Sequence, residues 1–456
     1  MTSKSTPALR TLVGATIAAA ALLGASAAHA EATAQEIARL GKDLTPVGAE
    51  MAANADGSIP AFTGGLTTVQ ALDSKKGYTN PYAADKPLFT ITAANAAQYE
   101  KFLAPGQLAL LKQYPDYKFK VYPTHRSVGM PDWVAKNVLR DAPNAKLADG
   151  GFGTANVPTS GTFPFPFPKN GAEVIQNHNL RYRGIAPHGV VAILATQANG
   201  SFVPIKWMYD ATFTGKMPDA DPNRVFYFTQ VTLSPSNSAG EATMVIDAVD
   251  QSKEKRQAWT YNPGQRRVLR APDVAYDTPF FNVDGTATVD DSDMFSGAVD
   301  RYDWKLVGKK EMIISYNNYD LAAKTVKYAD LIHGNHFNQE LPRYEKHRVW
   351  VVEATLKAGA RHIYAKRVFY VDEDTWQIAH TDKYDARGGL WRVGECHQIL
   401  NLAPGGGSWT AGNVSHDLQA RRVFAEYLTQ EEKPMVFDQP RPRSNYTSDA
   451  FRRLGN

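Results

Sequence analysis

Gln257-Ala258-Trp259-Thr260-Tyr261-Asn262-Pro263-Gly264-Gln265-Arg266-Arg267-Val268-Leu269-Arg270 reads as two short strands around a turn. Trp259, Thr260 and Tyr261 alternate ring, polar, ring; Asn262-Pro263-Gly264 cannot continue a strand; Val268-Leu269 resumes one. The same pattern extends to both sides. Strands are predicted over 190–196, 203–213, 225–233 and 242–249 before this hairpin, and over 305–316, 348–356, 362–371, 376–385 and 390–399 after it. Asn199-Gly200, Asp372-Glu373-Asp374 and Gly388-Gly389 supply turns between them. About eleven sequential strands with short connections predict one antiparallel meander. A sheet that long has to curl. The expected fold class is mainly β with helical decorations, a large curved antiparallel sheet over residues 186–402 forming an unclosed barrel. Its concave side is either packed or left as a ligand cavity.

The flanks differ in composition. Residues 31–185, rich in Pro, Gly, Asn and Asp, are expected to form an N-terminal arm of loops and short helices packing on the sheet. Helices are predicted at 34–40, 95–103, 105–113 and 131–141, with Pro105 at a first-turn position. Phe163-Pro164-Phe165-Pro166-Phe167-Pro168 cannot be helical and reads as extended chain laid over an apolar surface. Residues 403–456 begin with the flexible Pro404-Gly405-Gly406-Gly407, followed by a predicted helix over 415–428 with Ser415 as N-cap, then a basic tail carrying Arg441, Arg443, Arg452 and Arg453.

Residues 1–30 have the three parts of a cleavable signal peptide: Lys4 and Arg10, an apolar run over 12–23, and Ala28-His29-Ala30. The run falls short of the ~20 residues a spanning helix needs. The expectation is a chain exported to the periplasm and soluble after cleavage, with some peripheral attachment to the outer membrane also open. Cys396 is the single cysteine, so no internal disulfide and no lipidated cysteine after the leader are expected. Of the formal charge of +4, Lys4 and Arg10 belong to the leader, which leaves +2 and argues against a nucleic-acid partner. Arg266, Arg267 and Arg270 read as a solvated strand edge.

Signatures of chemistry are few. The chain has no nucleophile elbow, no His-Glu-x-x-His, no Cys-x-x-Cys and no phosphate-binding loop. His333 and His336 flank Gly334-Asn335, which suits a hairpin tip better than a metal site lacking a third ligand. Asp290, Asp291 and Asp293 read as a solvated acidic loop that also caps a short helix. Cys396 and His397 adjoin on a strand and so point to opposite faces. No catalytic residue, metal or cofactor is assigned. Large rings, however, recur strand after strand, and the surplus over ordinary core suits a greasy concave surface. Tyr227, Met244, Trp259, Trp350, Phe369 and Trp391 lie mid-strand and are the expected cavity-lining residues.

Leu40-Gly41-Lys42-Asp43-Leu44-Thr45-Pro46-Val47-Gly48-Ala49-Glu50 and Asn54-Ala55-Asp56-Gly57-Ser58-Ile59-Pro60-Ala61-Phe62-Thr63-Gly64-Gly65-Leu66 closely resemble the opening of a secreted Gram-negative family, domain of unknown function 1329. Tyr122-Pro123-Thr124-His125-Arg126-Ser127, Pro164-Phe165-Pro166-Phe167-Pro168-Lys169-Asn170-Gly171 and Asn177-His178-Asn179-Leu180-Arg181-Tyr182-Arg183-Gly184 extend the match, with Phe62 standing for a usual Trp. The resemblance implies an elaborated lipoprotein-carrier fold like that of outer-membrane lipoprotein-sorting proteins. It also implies envelope transport, beside an outer-membrane β-barrel-like protein and a resistance-nodulation-division exporter, and it brings no established active site. The leading expectation is a periplasmic carrier or chaperone for a hydrophobic or lipid-like ligand or an acylated protein. A non-catalytic scaffold docking to an outer-membrane protein or exporter is the alternative. A hydrolase of hydrophobic esters comes third, with His178, His333, His336 and His380 as the histidines to inspect.

Overall fold

Two short strands, β1 (Phe89–Ile91) and β2 (Phe119–Val121), precede two antiparallel meanders in the computed structural model, which describes residues 32–66, 77–271 and 274–454. The leader read at 1–30 lies outside the described residues. The first meander runs β3 (His188–Ala195), β4 (Ile205–Phe213), β5 (Phe226–Ser234), β6 (Ala242–Asp247), β7 (Gln257–Asn262) and β8 (Arg267–Arg270). The second runs β9 (Tyr302–Ser315), β10 (Tyr344–Leu356), β11 (Lys366–Asp372), β12 (Ile378–Tyr384), β13 (Leu390–Leu400), β14 (Ser408–Asp417) and β15 (Arg422–Leu428). The hairpin that opens the sequence reading is present, with Arg267 opposite Asn262 and Arg270 opposite Trp259.

The single meander expected from sequence is instead two, joined by the last strand. β15 pairs with β3, Phe424 opposite Ala195 and Ala425 opposite Leu194, so one 15-stranded sheet results. β8 pairs with β7 alone and β9 with β10 alone among the described residues, and the barrel therefore stays unclosed. The helix expected over 415–428 is also corrected: β14 and β15 occupy that stretch, turning near Arg421 at φ 53°. Every residue of β14 is buried, so both faces are covered and the alternation that marks a half-solvated strand is missing. The sheet thus extends past the expected limits of 186–402 at both ends, to β1 and to β15.

Helices cover both faces. On the outer face, α2 (Pro105–Gln113), preceded by the one-turn α1 (Ala34–Ile37), packs Leu110 and Leu111 with Ile313, Tyr344 and Val393. The stretch 95–103 forms two short 3-10 turns rather than one helix, and α3 (Asp132–Asp141) forms as expected. The inner face carries α4 (Gly171–Leu180), which the sequence reading did not include. Asn170 caps it, accepting from the Glu173 N–H at 3.0 Å, and all its residues except Asn179 are buried. Asn177 on α4 grips the Phe-Pro strap: it accepts from Phe165 N at 2.9 Å and donates to Phe165 O at 2.8 Å. Residues 274–296, the crossing between the meanders, lie beside α4 and roof the first meander. Beyond the sheet, α5 (Ser448–Leu454) seats Phe451 on the outer face of the first meander with Tyr227, Met244 and Tyr261. No helix among the described residues is long and apolar enough to cross a membrane.

The closeness of α2 to the sheet gives a test with an unusual sign. Gly→Ala in an open helix stabilises by roughly 0.5–1 kcal/mol. At Gly106 the new methyl would sit 2.1 Å from Asp382 Oδ1 and 2.8 Å from Val393 Cγ1. Gly106→Ala is expected to destabilise the protein by about 1–3 kcal/mol in chemical denaturation; a stabilising result would mean that α2 stands off the sheet.

Candidate ligand chamber

Phe226, Tyr227 and Phe228 are consecutive on β5, and the pleat sends the outer two of them inward and Tyr227 outward. Phe226 and Phe228 enter a cavity of about 100 Å³ with Val191 and Ile193 from β3, Trp207 and Tyr209 from β4, and Val245 from β6. Phe280 and Phe281 close it from the roof. The rings contact one another at their edges or at a tilt: Trp207 to Phe280 at 5.7 Å, Tyr209 to Phe228 at 5.0 Å, and Tyr209 to Tyr427 at 5.7 Å between centroids. An engineered apolar cavity of ~150 Å³ takes up benzene; this chamber, at about 100 Å³, is smaller and as it stands suits a short acyl segment.

The chamber has a polar end. Arg181 lies behind it and clamps Asp293 at 2.6 and 2.8 Å, and Arg183 pairs with the same carboxylate. Burial would raise the Asp293 carboxyl, but the two arginines overcome this and hold it at about 2. Glu426, which accepts from Asp293 N at 3.0 Å and from the Asn413 amide at 3.2 Å, has no ion pair among the described residues. Burial pushes it up to about 8. At neutral pH the wall therefore holds one ionised and one protonated carboxyl side by side. Asp293, Met294 and Tyr427 all sit at positive φ, 56°, 70° and 60°. Left-handed backbone at three non-glycine positions costs roughly 1–2 kcal/mol each, and such strain gathers at functional sites.

None of the six sequence-predicted lining residues borders this chamber. Tyr227, Met244 and Trp259 lie on the outer face around Phe451 and Tyr446. Phe369 is fully buried under α4, edge-on to Phe295 at 5.7 Å, and Trp350 stacks on Trp376 at 5.9 Å under the same helix. Trp391 sits near Tyr364 and donates to Asp417 Oδ2 at 2.9 Å. The physical reason is face: alternate residues of a strand point opposite ways and register is not visible in a sequence, so a mid-strand position does not tell the inner face from the outer one. Burial does not separate the two groups: among the chamber's own rings Phe226 and Phe228 are half-buried while Trp207 and Tyr209 are buried. The clue is the tripeptide itself: two rings of equal parity, Phe226 and Phe228, flank Tyr227, and a second pair, Phe280-Phe281, lies in a loop.

His333 and His336 form the expected hairpin tip, paired with each other and both 3.2 Å from Asp116. Cys396 joins the core under α4 while His397 stacks on Phe337 on the opposite side, and burial pushes the thiol far up. The acidic loop is not solvated as expected: Asp290 and Asp291 are buried because Arg367 and Lys383 meet them at 2.8 and 2.7 Å. His178 places both ring nitrogens against backbone, at Trp376 O and Asp293 O, and burial lowers it to about 3. Burial would lower His380 too, but Asp382 at 2.8 Å and Glu395 raise it to about 9. Neither lines the chamber. His347, Asp372 and Asp374 bring ligand atoms within 4.8 Å of one another, but Asp374 is clamped by Arg126 at 2.6 and 2.9 Å. Arg126 also donates to Met51 O at 3.4 Å and lies over Phe62, which explains why the 40–66 segment docks here.

The family described as protein of unknown function, DUF1329, matches residues 90–452. An uncharacterized protein of Pseudomonas aeruginosa, PA3922, is 48% identical over 435 residues, 93% of this chain and 94% of that one. The chain belongs to the DUF1329 family. Among solved structures, it is similar to a DUF1329 family protein of Desulfovibrio piger, at 15% identity and TM-score 0.40, covering 59% of this chain and 92% of that one. A LolA superfamily protein of Nitrosomonas europaea, NE2245, is similar at 12% identity and TM-score 0.37, covering 62% and 99%.

Glu426 gives this DUF1329 chain a measurable pH signature. Its folded value of about 8 lies above the ordinary 4.5. Its contribution to stability is therefore full below the ordinary value and is lost as pH rises through the folded one. Glu426→Gln mimics the protonated state. The variant is expected to match the wild type near pH ~4 and to be more stable by over about 1 kcal/mol near pH ~9 in urea denaturation. Parallel pH curves would contradict the assignment.

Proposed function

We propose that this protein is a periplasmic carrier that holds a hydrophobic small molecule or lipid-like group in the aromatic chamber between the first meander and its roof. The single observation that carries the reading is the chamber itself: apolar and aromatic walls, from strands and roof alike, converge on space instead of on one another. A domain with a simply packed interior would fill that volume, since cavities of this size are costly to keep empty. The reading assigns no chemistry to the chamber. On the same reading, the ligand passes to or from an envelope partner, an outer-membrane β-barrel-like protein or a resistance-nodulation-division exporter, and the roof over 274–296 is the element that would have to lift.

Titration with the neutral dye Nile red tests the chamber. Phe228→Ala and Phe280→Ala are each expected to weaken dye binding by roughly tenfold, about 1.4 kcal/mol. Tyr227→Leu, one residue away on the outer face, is expected to lose about 1–3 kcal/mol of stability and to bind dye as the wild type does. Equal dye binding by all four proteins would overturn the assignment of the chamber.

A further inference from the structure

A second, smaller cavity of about 20 Å³ adjoins the aromatic chamber, and Arg183, Phe226, Asp293 and Ser296 stand in the walls of both. Its other walls include four polar side chains, Gln176 and Asn179 from α4 and Asp247 and Gln251 from the first meander. Buried polar groups normally find partners. In the walls of the two cavities three buried atoms have none among the described residues: Trp207 Nε1, Arg256 Nε and Gln176 Nε2. All three are N–H donors. What is missing from these walls is therefore an acceptor.

Charge points the same way. Arg181, Arg183 and Arg256 gather at this end, against the carboxylates of Asp293 and Asp247. Each carboxylate is already committed: Asp293 to Arg181 and Arg183, and Asp247 to Arg256 at 2.6 Å and to Gln251 at 3.1 Å. Arg256 also donates to Ser296 Oγ at 3.0 Å. With Glu426 held protonated by burial, the end carries one cation in excess. Each arginine has a carboxylate partner, but Arg181 and Arg183 share one, and a monoanion would balance the surplus.

We infer that the ligand is a hydrophobic carboxylate, its apolar part in the aromatic chamber and its two oxygens at the polar end where the two cavities meet, facing Arg183, Arg256 and Gln176. The inference rests on the carrier reading and names the ligand's class. The size of the polar cavity favours a planar carboxylate over a tetrahedral head. Arg183 is held in place from behind, its guanidinium 4.5 Å from the Phe213 ring centre, and Gln176 is fixed by the Thr154 hydroxyl, which donates to its Oε1 at 3.2 Å.

Isothermal titration of the full protein with octanoate, octan-1-ol, octylamine and octyl phosphate tests the class. Octanoate is expected to bind at least about tenfold more tightly than the alcohol or the amine. Gln176→Glu keeps the shape and the Thr154 hydrogen bond but replaces a donor with an anion. It is expected to cost octanoate about tenfold and leave octan-1-ol unchanged. The head-group series on the unsubstituted chain decides the question even where that variant does not fold. Alcohol or amine binding as tightly as octanoate would overturn the anionic head while the carrier stands. Tighter binding of octyl phosphate would replace carboxylate by phosphate and so overturn the assignment. No binding of any of the four, nor of Nile red, would overturn both readings.

Discussion

Three carboxylates from one loop, Asp290, Asp291 and Asp293, each meet a cation from a different part of the chain, and the architecture of the inner face depends on these pairs. Asp290 takes Arg367 of β11 at 2.8 Å and His362 at 3.0 Å; Asp291 takes Lys383 of β12 at 2.7 Å; Asp293 takes Arg181, just past α4, at 2.6 Å. The loop is thereby fixed to the second meander and to the helix at once. Buried ion pairs add little net stability compared with apolar packing, but losing one partner leaves an uncompensated charge worth roughly 3–5 kcal/mol. Such pairs specify position. Here the position they specify is that of the 274–296 roof, and hence the height of the space beneath it.

From that constraint the asymmetry of the molecule follows. Over the second meander α4 descends fully, and Val174, Ile175, Phe369 and Trp376 close the gap. Over the first meander only the roof arrives, carrying Phe280 and Phe281 instead of a helix, and a chamber remains. On the outer face α2 and α5 pack closely, α2 so closely that Gly106 has no room for a methyl. One sheet thus has a packed half and a hollow half on its inner side. The polar end of the hollow half lies where the two halves meet, at Asp293 and Glu426, and the strained backbone of Asp293, Met294 and Tyr427 lies there too.

Much of this was legible in the residues. The 257–270 hairpin, helix 105–113 with its first-turn proline, and the opposite facing of Cys396 and His397 follow from turn chemistry and the two-residue period alone. Those rules lose power where both faces are covered. β14 has Gly412, Asn413, Ser415 and His416 wholly inside, so its polar residues imitate the exposed face of a helix. Helix α4 fails in the other direction: Gln176, Asn177 and His178 look like loop residues, yet each is buried, and Asn177 and His178 are bonded to distant backbone. The chamber was hidden because register is not visible in a sequence. A mid-strand position does not say which face a ring takes, and Tyr227 points outward while Phe226 and Phe228, on either side of it, point inward.

Hydrogen–deuterium exchange of the protein with and without a saturating hydrophobic ligand tests the central claim most directly, because it reports which backbone segments a ligand touches without any substitution. If the chamber holds the ligand, exchange slows over 205–213, 226–234 and 274–296 and is unchanged over 105–128 and 344–356. Protection confined to the outer face or to the second meander, or no protection at saturation, would contradict the account.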